Sequence, residues 1–130
     1  MNAKVQQGLV IVGACVFLGF GGWLFWIPEA LEGIGIVLGT AEARIDIRAT
    51  YGGLELGLGT FLLMCVSRPE WIRPGLVASA CGVAGLGVGR LGGILLEGEG
   101  TPLMWMFLGI EVVMTGVYLM AIRANSAQSA

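Results

Sequence analysis

Long apolar runs separated by short polar clusters fill most of the chain and predict four membrane-spanning helices. We place these helices at residues 8–27, 41–66, 75–96 and 103–123. At ~1.5 Å per residue, each is long enough to cross a hydrocarbon core of ~30 Å. The predicted fold is an all-α membrane protein, a four-transmembrane-helix up-and-down bundle that forms a single domain over residues 1–130.

The segment between the first two helices is apolar but too short to span. Residues 31–39 are expected to lie at the membrane interface or to dip into the bundle. Thr40 is the predicted N-cap of the second helix, with Glu42 near the positive end of the helix dipole. Prolines break the chain again in residues 67–74, and the polar residues 124–130 are expected to fray.

The loop charges predict an orientation. Basic residues cluster at one end of the predicted bundle, whereas the opposite loops are mostly acidic. By the positive-inside rule, both termini of this multi-pass protein should be cytoplasmic. The basic positions are Lys4, Arg68, Arg73 and Arg123; the acidic ones are Glu29, Glu32, Glu97 and Glu99, with Arg44 near them.

Composition supports the assignment to membrane proteins and argues against several kinds of binding site. Hydrophobic residues make up 56% of the chain and charged residues 12%, against roughly 25% charged in an average soluble domain. A net charge of −2 argues against nucleic acid as a partner. The chain has no histidine, and its three cysteines have no CxxC spacing, which argues against metal sites and disulfides. We expect no metal, no cofactor and no catalytic residue.

Ionisable residues inside the predicted spans are the main functional signal. Arg48, Tyr51 and Glu55 would share one face of an α-helix, and Arg90 and Glu111 lie at a similar depth on the third and fourth helices. An isolated charge at mid-bilayer costs at least ~2.5–3.5 kcal/mol, so these groups should neutralise one another. Together they predict either a ligand-binding pocket open to the outer face or a closed structural network.

Glycines predict where helices approach closely. Small residues at helical spacing let backbones come together in membranes, where dispersion packing holds helices to one another. Such a face also suggests a homo-oligomer or a membrane-protein partner. The predicted helix-packing glycines are Gly52, Gly53 and Gly57 in the second helix, and Gly82, Gly85, Gly89 and Gly93 in the third.

Three functions fit these features. The favoured one is non-catalytic: the charged pocket binds a membrane lipid headgroup or a small polar metabolite. The first alternative is an accessory or structural subunit of a larger membrane complex. The second is a membrane enzyme acting on a lipid or quinone-like substrate, with Glu55 and Glu111 as acid and base. No nucleophile or cofactor motif accompanies those two carboxylates, so the chain is more readily interpreted as a non-enzyme.

The segment Arg48-Ala-Thr-Tyr-Gly-Gly, followed by Glu55 and Gly57, resembles a bacterial family of small four-helix membrane proteins of unknown function. The Gly89-Arg90 pair and Glu111 also match what is expected of that family, which is similar in layout to DoxX-like proteins. The resemblance covers nearly the whole chain. It implies a fold and a location in the bacterial inner (cytoplasmic) membrane, but no reaction.

Overall fold

Four long helical stretches make up the protein. The computed structural model describes residues 2–126, with side chains from residue 2 to residue 124. The α-helices are α1 (Ala3–Trp26), α2 (Ala41–Ile47), α3 (Leu54–Val66), α4 (Ile72–Glu97) and α5 (Pro102–Ser126). A π-helical turn, Arg48–Gly53, joins α2 to α3, and we call the continuous stretch Ala41–Val66 the second span. Four stretches of the described chain are long and apolar enough to cross a membrane, which confirms the predicted fold.

The helix ends differ slightly from those predicted. α1 begins at Ala3 rather than at residue 8, because the Asn2 side chain accepts a hydrogen bond from the Lys4 amide at 3.0 Å. α4 begins before Pro74, whose ring is tolerated in a first helical turn. α5 continues past residue 123. Of the predicted frayed tail, residues 127–130 lie outside the described part of the chain.

The predicted short segment between the first two spans is confirmed. It forms a 3₁₀ turn that ends at Gly35 in the left-handed conformation, with φ of 90°. The side chains of Leu31 and Leu38 are buried, so this segment packs back on the protein. Thr40 then caps the second span: its hydroxyl accepts a hydrogen bond from the Ala43 amide at 3.2 Å, as predicted.

α1 and the second span form a closely packed antiparallel pair. A Cβ built on Gly52 would lie 2.9 Å from the Phe25 Cβ, and one built on Gly59 would lie 2.6 Å from the Leu18 Cγ. Positions late in α1 thus face positions early in the second span. α4 and α5 form the other antiparallel pair, because Arg90 near the end of α4 contacts α5 near its beginning.

The two pairs meet around Gly13 of α1. A Cβ on Gly13 would lie 2.9 Å from Tyr118 Oη, 3.0 Å from Ser79 Oγ and 3.3 Å from Leu62 Cδ1. One glycine therefore touches all three other spans. We call this part of the bundle the closed half. Its buried apolar cluster comprises Val10, Ala14, Phe17, Leu62, Cys65, Ile72, Leu76, Ala80, Tyr118 and Ala121.

The pairs separate in the other half of the bundle. A Cβ on Gly82 of α4 would still contact the Phe17 ring at 3.4 Å and Leu58 at 3.6 Å. Gly89 and Gly93 follow on the same face of α4, two and three turns later. A Cβ on either would meet nothing within 4 Å. We call the space between this face of α4 and the second span the cleft, and this part of the bundle the open half.

Candidate functional site

Three charged residues lie on the inner faces of the open half: Glu55, Arg90 and Glu111. Each is seven or eleven residues from a side chain that meets Gly13, which is close to two or three whole helical turns. They therefore point the same way as those side chains, but at the level of the cleft. The matched positions are Glu55 with Leu62, Arg90 with Ser79, and Glu111 with Tyr118.

Arg90 and Glu111 form a bidentate ion pair. The Arg90 Nη2 donates to Glu111 Oε1 at 2.7 Å, and its Nε lies 3.1 Å from Oε1 and 3.0 Å from Oε2. Gly87 makes room for this arrangement, since a Cβ there would lie 3.3 Å from the Glu111 Cβ. Glu111 as a whole is 8% exposed. The pair thus neutralises two predicted site residues with the planar geometry that favours arginine.

The remaining edge of the Arg90 guanidinium, at Nη1, has only a weak hydrogen-bond acceptor beside it. Its Nη1 donates to the Met104 sulfur at 3.3 Å, and a thioether is a weak acceptor. Its Cζ lies 5.2 Å from the centre of the Phe107 ring, within cation–π range. The Arg90 side chain remains 23% exposed. Among the described residues, no strong acceptor meets Nη1, so this edge can donate a hydrogen bond to a ligand oxygen.

Glu55 lies on the opposite wall and has no partner of its own. Its Cβ packs against α1, 2.9 Å from a Cβ built on Gly21. Its Oε2 is enclosed, yet it receives no hydrogen bond within the described structure. Within that same part of the chain, the ion pair between Arg90 and Glu111 is the one salt bridge shorter than 4.0 Å. The structure therefore does not join Glu55 to the other two charges.

Arg48 links the second span to the end of α1 by a hydrogen bond. Its Nε donates to the Phe25 carbonyl oxygen at 2.9 Å. Phe25 is in the last turn of α1, where carbonyl groups lack helical partners and the dipole favours a cation. Arg48 is thereby held away from the pair formed by Arg90 and Glu111. Tyr51 is 40% exposed.

The segment Arg48–Gly53 is π-helical, and it coincides with the Arg-x-x-Tyr-Gly-Gly motif. At its end, the Leu54 amide donates to the Ala49 carbonyl five residues earlier, as in a π-helix. The Thr50 hydroxyl donates to the Asp46 carbonyl at 2.7 Å. Arg48 and Glu55 both approach α1 across this wider turn, Arg48 at the Phe25 carbonyl and Glu55 at Gly21. The grouping of these two residues with Tyr51 as a ligand site stays a prediction.

The predicted packing glycines have different environments. A Cβ on Gly52 would touch α1 and one on Gly82 would touch both α1 and the second span, whereas the nearest atom to a Cβ on Gly53 belongs to its own turn. No atom of the described chain lies within 4 Å of a Cβ built on Gly57, Gly85, Gly89 or Gly93. Packing of these four against a partner stays a prediction. Sequence reasoning missed the close contacts between spans at Gly13, Gly21, Gly59 and Gly75. The available signals were the eight-residue spacing from Gly13 to Gly21 and the seven-residue spacing from Gly52 to Gly59.

A separate groove of about 220 Å³ lies on the outside of the α4/α5 pair. It is lined by apolar residues and Gly87, with Glu111 and Thr115 as the polar members. Val88 and Val112 at its edge are 73% and 63% exposed. In a bilayer this surface would contact acyl chains, so the groove adds an apolar surface close to the charged pair.

No curated protein and no solved structure matches this chain significantly. One family does match, over residues 5–122, which include all four spans. Its description is "Domain of unknown function (DUF4345)". The three charged residues and the π-helical motif all fall inside the matched range. The chain is a multi-pass membrane protein that belongs to the DUF4345 family.

Proposed function

We propose that this protein is a non-catalytic binding protein of the bacterial inner membrane. Its ligand is a lipid headgroup or a small polar metabolite, held in the cleft between Glu55 on one wall and the pair formed by Arg90 and Glu111 on the other. The observation that carries the proposal is the enclosed Glu55 oxygen without a hydrogen-bond partner, on the side of the second span to which Leu62 also points.

Two physical arguments support a ligand rather than a closed network. A buried polar atom without a partner is costly, and intramembrane ionisable residues that remain unpaired are typically functional. The wall of the cleft is also unusually bare, since Gly89 and Gly93 leave space where most residues would place a side chain. A purely structural network would gain stability by filling that space, because close packing holds membrane helices together.

Blocking the cleft should abolish binding without unfolding the protein. In Gly89→Phe, the new ring would enter the cleft from a position where a Cβ meets nothing within 4 Å. We expect native mass spectrometry of the protein in mild detergent to detect a bound molecule on the wild type and none on Gly89→Phe.

Gly109→Phe is the matched control. Gly109 is also open around its Cβ, but it precedes Tyr118 by nine residues and so lies on the opposite face of α5. This variant should retain the bound molecule. A wild type without any bound species, or equal retention by both variants, would contradict the proposal.

An accessory subunit is the second candidate, and the same cleft is its supporting observation. The glycine face formed by Gly89 and Gly93 could receive a helix from another membrane protein instead of a small ligand. The experiment on Gly89→Phe separates these cases. Loss of a co-purifying protein, rather than of a small mass, would favour the accessory role.

The proposed orientation places both termini in the cytoplasm, with the cleft in the outer half of the membrane. A fluorescent protein fused to the C-terminus should therefore mature and fluoresce in cells, whereas alkaline phosphatase fused there should stay inactive. This expectation follows from the basic residues at that end of the bundle. An active phosphatase fusion would contradict the orientation.

A further inference from the structure

We propose that the cleft selects a primary ammonium group next to a phosphate, the chemistry of an aminophospholipid headgroup or of a soluble aminophosphate. The inference rests on the function proposed above and names the class of ligand. It depends on two features on opposite walls: a carboxylate that lacks a donor, and a guanidinium edge that lacks a strong acceptor.

The charged groups around the cleft favour a cationic ligand. Arg90 and Glu111 neutralise each other through their bidentate contact. When ionised, Glu55 adds one negative charge without a partner within 4.0 Å in the described structure. An unpaired carboxylate in a membrane interior is strongly disfavoured relative to a paired one. A positively charged group in the cleft would compensate it.

Hydrogen bonding identifies the kind of cation. The Glu55 carboxylate receives no hydrogen bond in the described structure, so a cation with N–H groups can satisfy it and one without them cannot. A primary ammonium carries three such donors. A quaternary ammonium of similar charge carries none. The site should therefore distinguish these two headgroups even though both are cationic.

The opposite wall suits a phosphate. Arg90 Nη1 contacts only the Met104 sulfur among the described hydrogen-bond acceptors, while the rest of the guanidinium is held by Glu111. Arginine binds phosphate oxygens through such a planar edge. A zwitterion placed across the cleft would then give every charged group a neighbour of opposite sign. The nearby apolar groove between α4 and α5 offers a surface for an acyl chain.

Lipid titration of the delipidated protein tests the inference. Purified protein in detergent would be titrated with phosphatidylethanolamine, phosphatidylcholine, phosphatidylglycerol and soluble phosphoethanolamine, and binding would be read by native mass spectrometry. We expect phosphatidylethanolamine to bind at least about tenfold more tightly than the other two lipids, the effect of one hydrogen bond to a charged group. Glu55→Gln, which keeps the shape, should remove that preference. Glu97→Gln, an exposed acid at the end of α4, should keep it.

The possible results are distinguishable. Preference for phosphatidylethanolamine supports a lipid source, and preference for phosphoethanolamine alone supports a soluble source of the same chemistry. Equal binding of phosphatidylcholine or phosphatidylglycerol, or an unchanged preference in Glu55→Gln, overturns the ammonium inference but leaves a binding cleft if Gly89→Phe abolishes that binding. Absence of all binding, or binding that Gly89→Phe does not alter, overturns the proposed function itself.

Discussion

Replacing Arg90 with alanine should lower the free energy of unfolding by about 3–5 kcal/mol, because Glu111 would then be a buried charge without its partner. The loss can be followed as a lower midpoint of thermal unfolding in detergent. The structural basis is the bidentate contact between the two side chains and the low exposure of Glu111. No other described cation lies within 4.0 Å of Glu111 to replace Arg90.

Removing both charges should be far less harmful than removing one. A double variant, Arg90→Met with Glu111→Leu, replaces the pair with apolar groups of similar volume, a change that is often neutral or stabilising. Arg123→Ala is the control for the loss of a single arginine, since Arg123 is exposed near the end of α5. If Arg90→Ala unfolds at the same temperature as Arg123→Ala, then water in the cleft already screens the pair.

The second large effect is expected at Gly21. Gly21→Ala should lower the free energy of unfolding by about 1–3 kcal/mol or more, as overpacking typically does. The added Cβ would lie 2.8 Å from the Leu56 amide nitrogen and 2.9 Å from the Gly52 carbonyl oxygen. These are backbone atoms, so α1 and the second span would have to move apart. Thermal unfolding and the yield of folded protein in detergent measure the effect.

Gly19→Ala is the matched control, because it makes the same change two residues earlier in the same helix. A Cβ on Gly19 meets nothing within 4 Å. Because alanine has a higher helix propensity than glycine, this variant should be as stable as the wild type or more stable by up to about 0.5–1 kcal/mol. Equal stability of the two alanine variants would mean that the close approach of the helices at Gly21 is not required.

The spans and their caps could be predicted from the sequence because each has a local signal. Long apolar runs bounded by Pro28 and Pro102 identify helices that can cross a membrane, and Thr40 before Glu42 identifies the start of the second span. The similar depth of Arg90 and Glu111 followed from counting residues from the helix ends. These are statements about one helix at a time, and they do not require knowledge of its neighbours.

Contacts between helices could not be predicted in the same way. In a soluble protein the apolar face of a helix points to the core, but in a membrane the faces toward lipid and toward protein are both apolar. Gly13 and Gly19 therefore look alike in sequence, although a Cβ on one would meet three other helices and a Cβ on the other would meet none. The π-helical turn was also hidden, because residues such as Thr50 are compatible with an α-helix, and the contact between Gly52 and Phe25 involves two different helices.

The contacts at Gly13 also have a mechanical consequence. The described contacts between the helix pairs run along α1 from Gln6 to Phe17, and Gly13, near the middle of them, can act as the pivot of a relative rotation of the two pairs. Gly21 lies eight residues farther along α1, about 12 Å from the pivot at ~1.5 Å per residue. A relative rotation of about 10° would thus change the width of the cleft by about 2 Å at that level. Arg90 and Glu111 both belong to the α4/α5 pair, so such a rotation would change their distance to Glu55 without breaking their own ion pair.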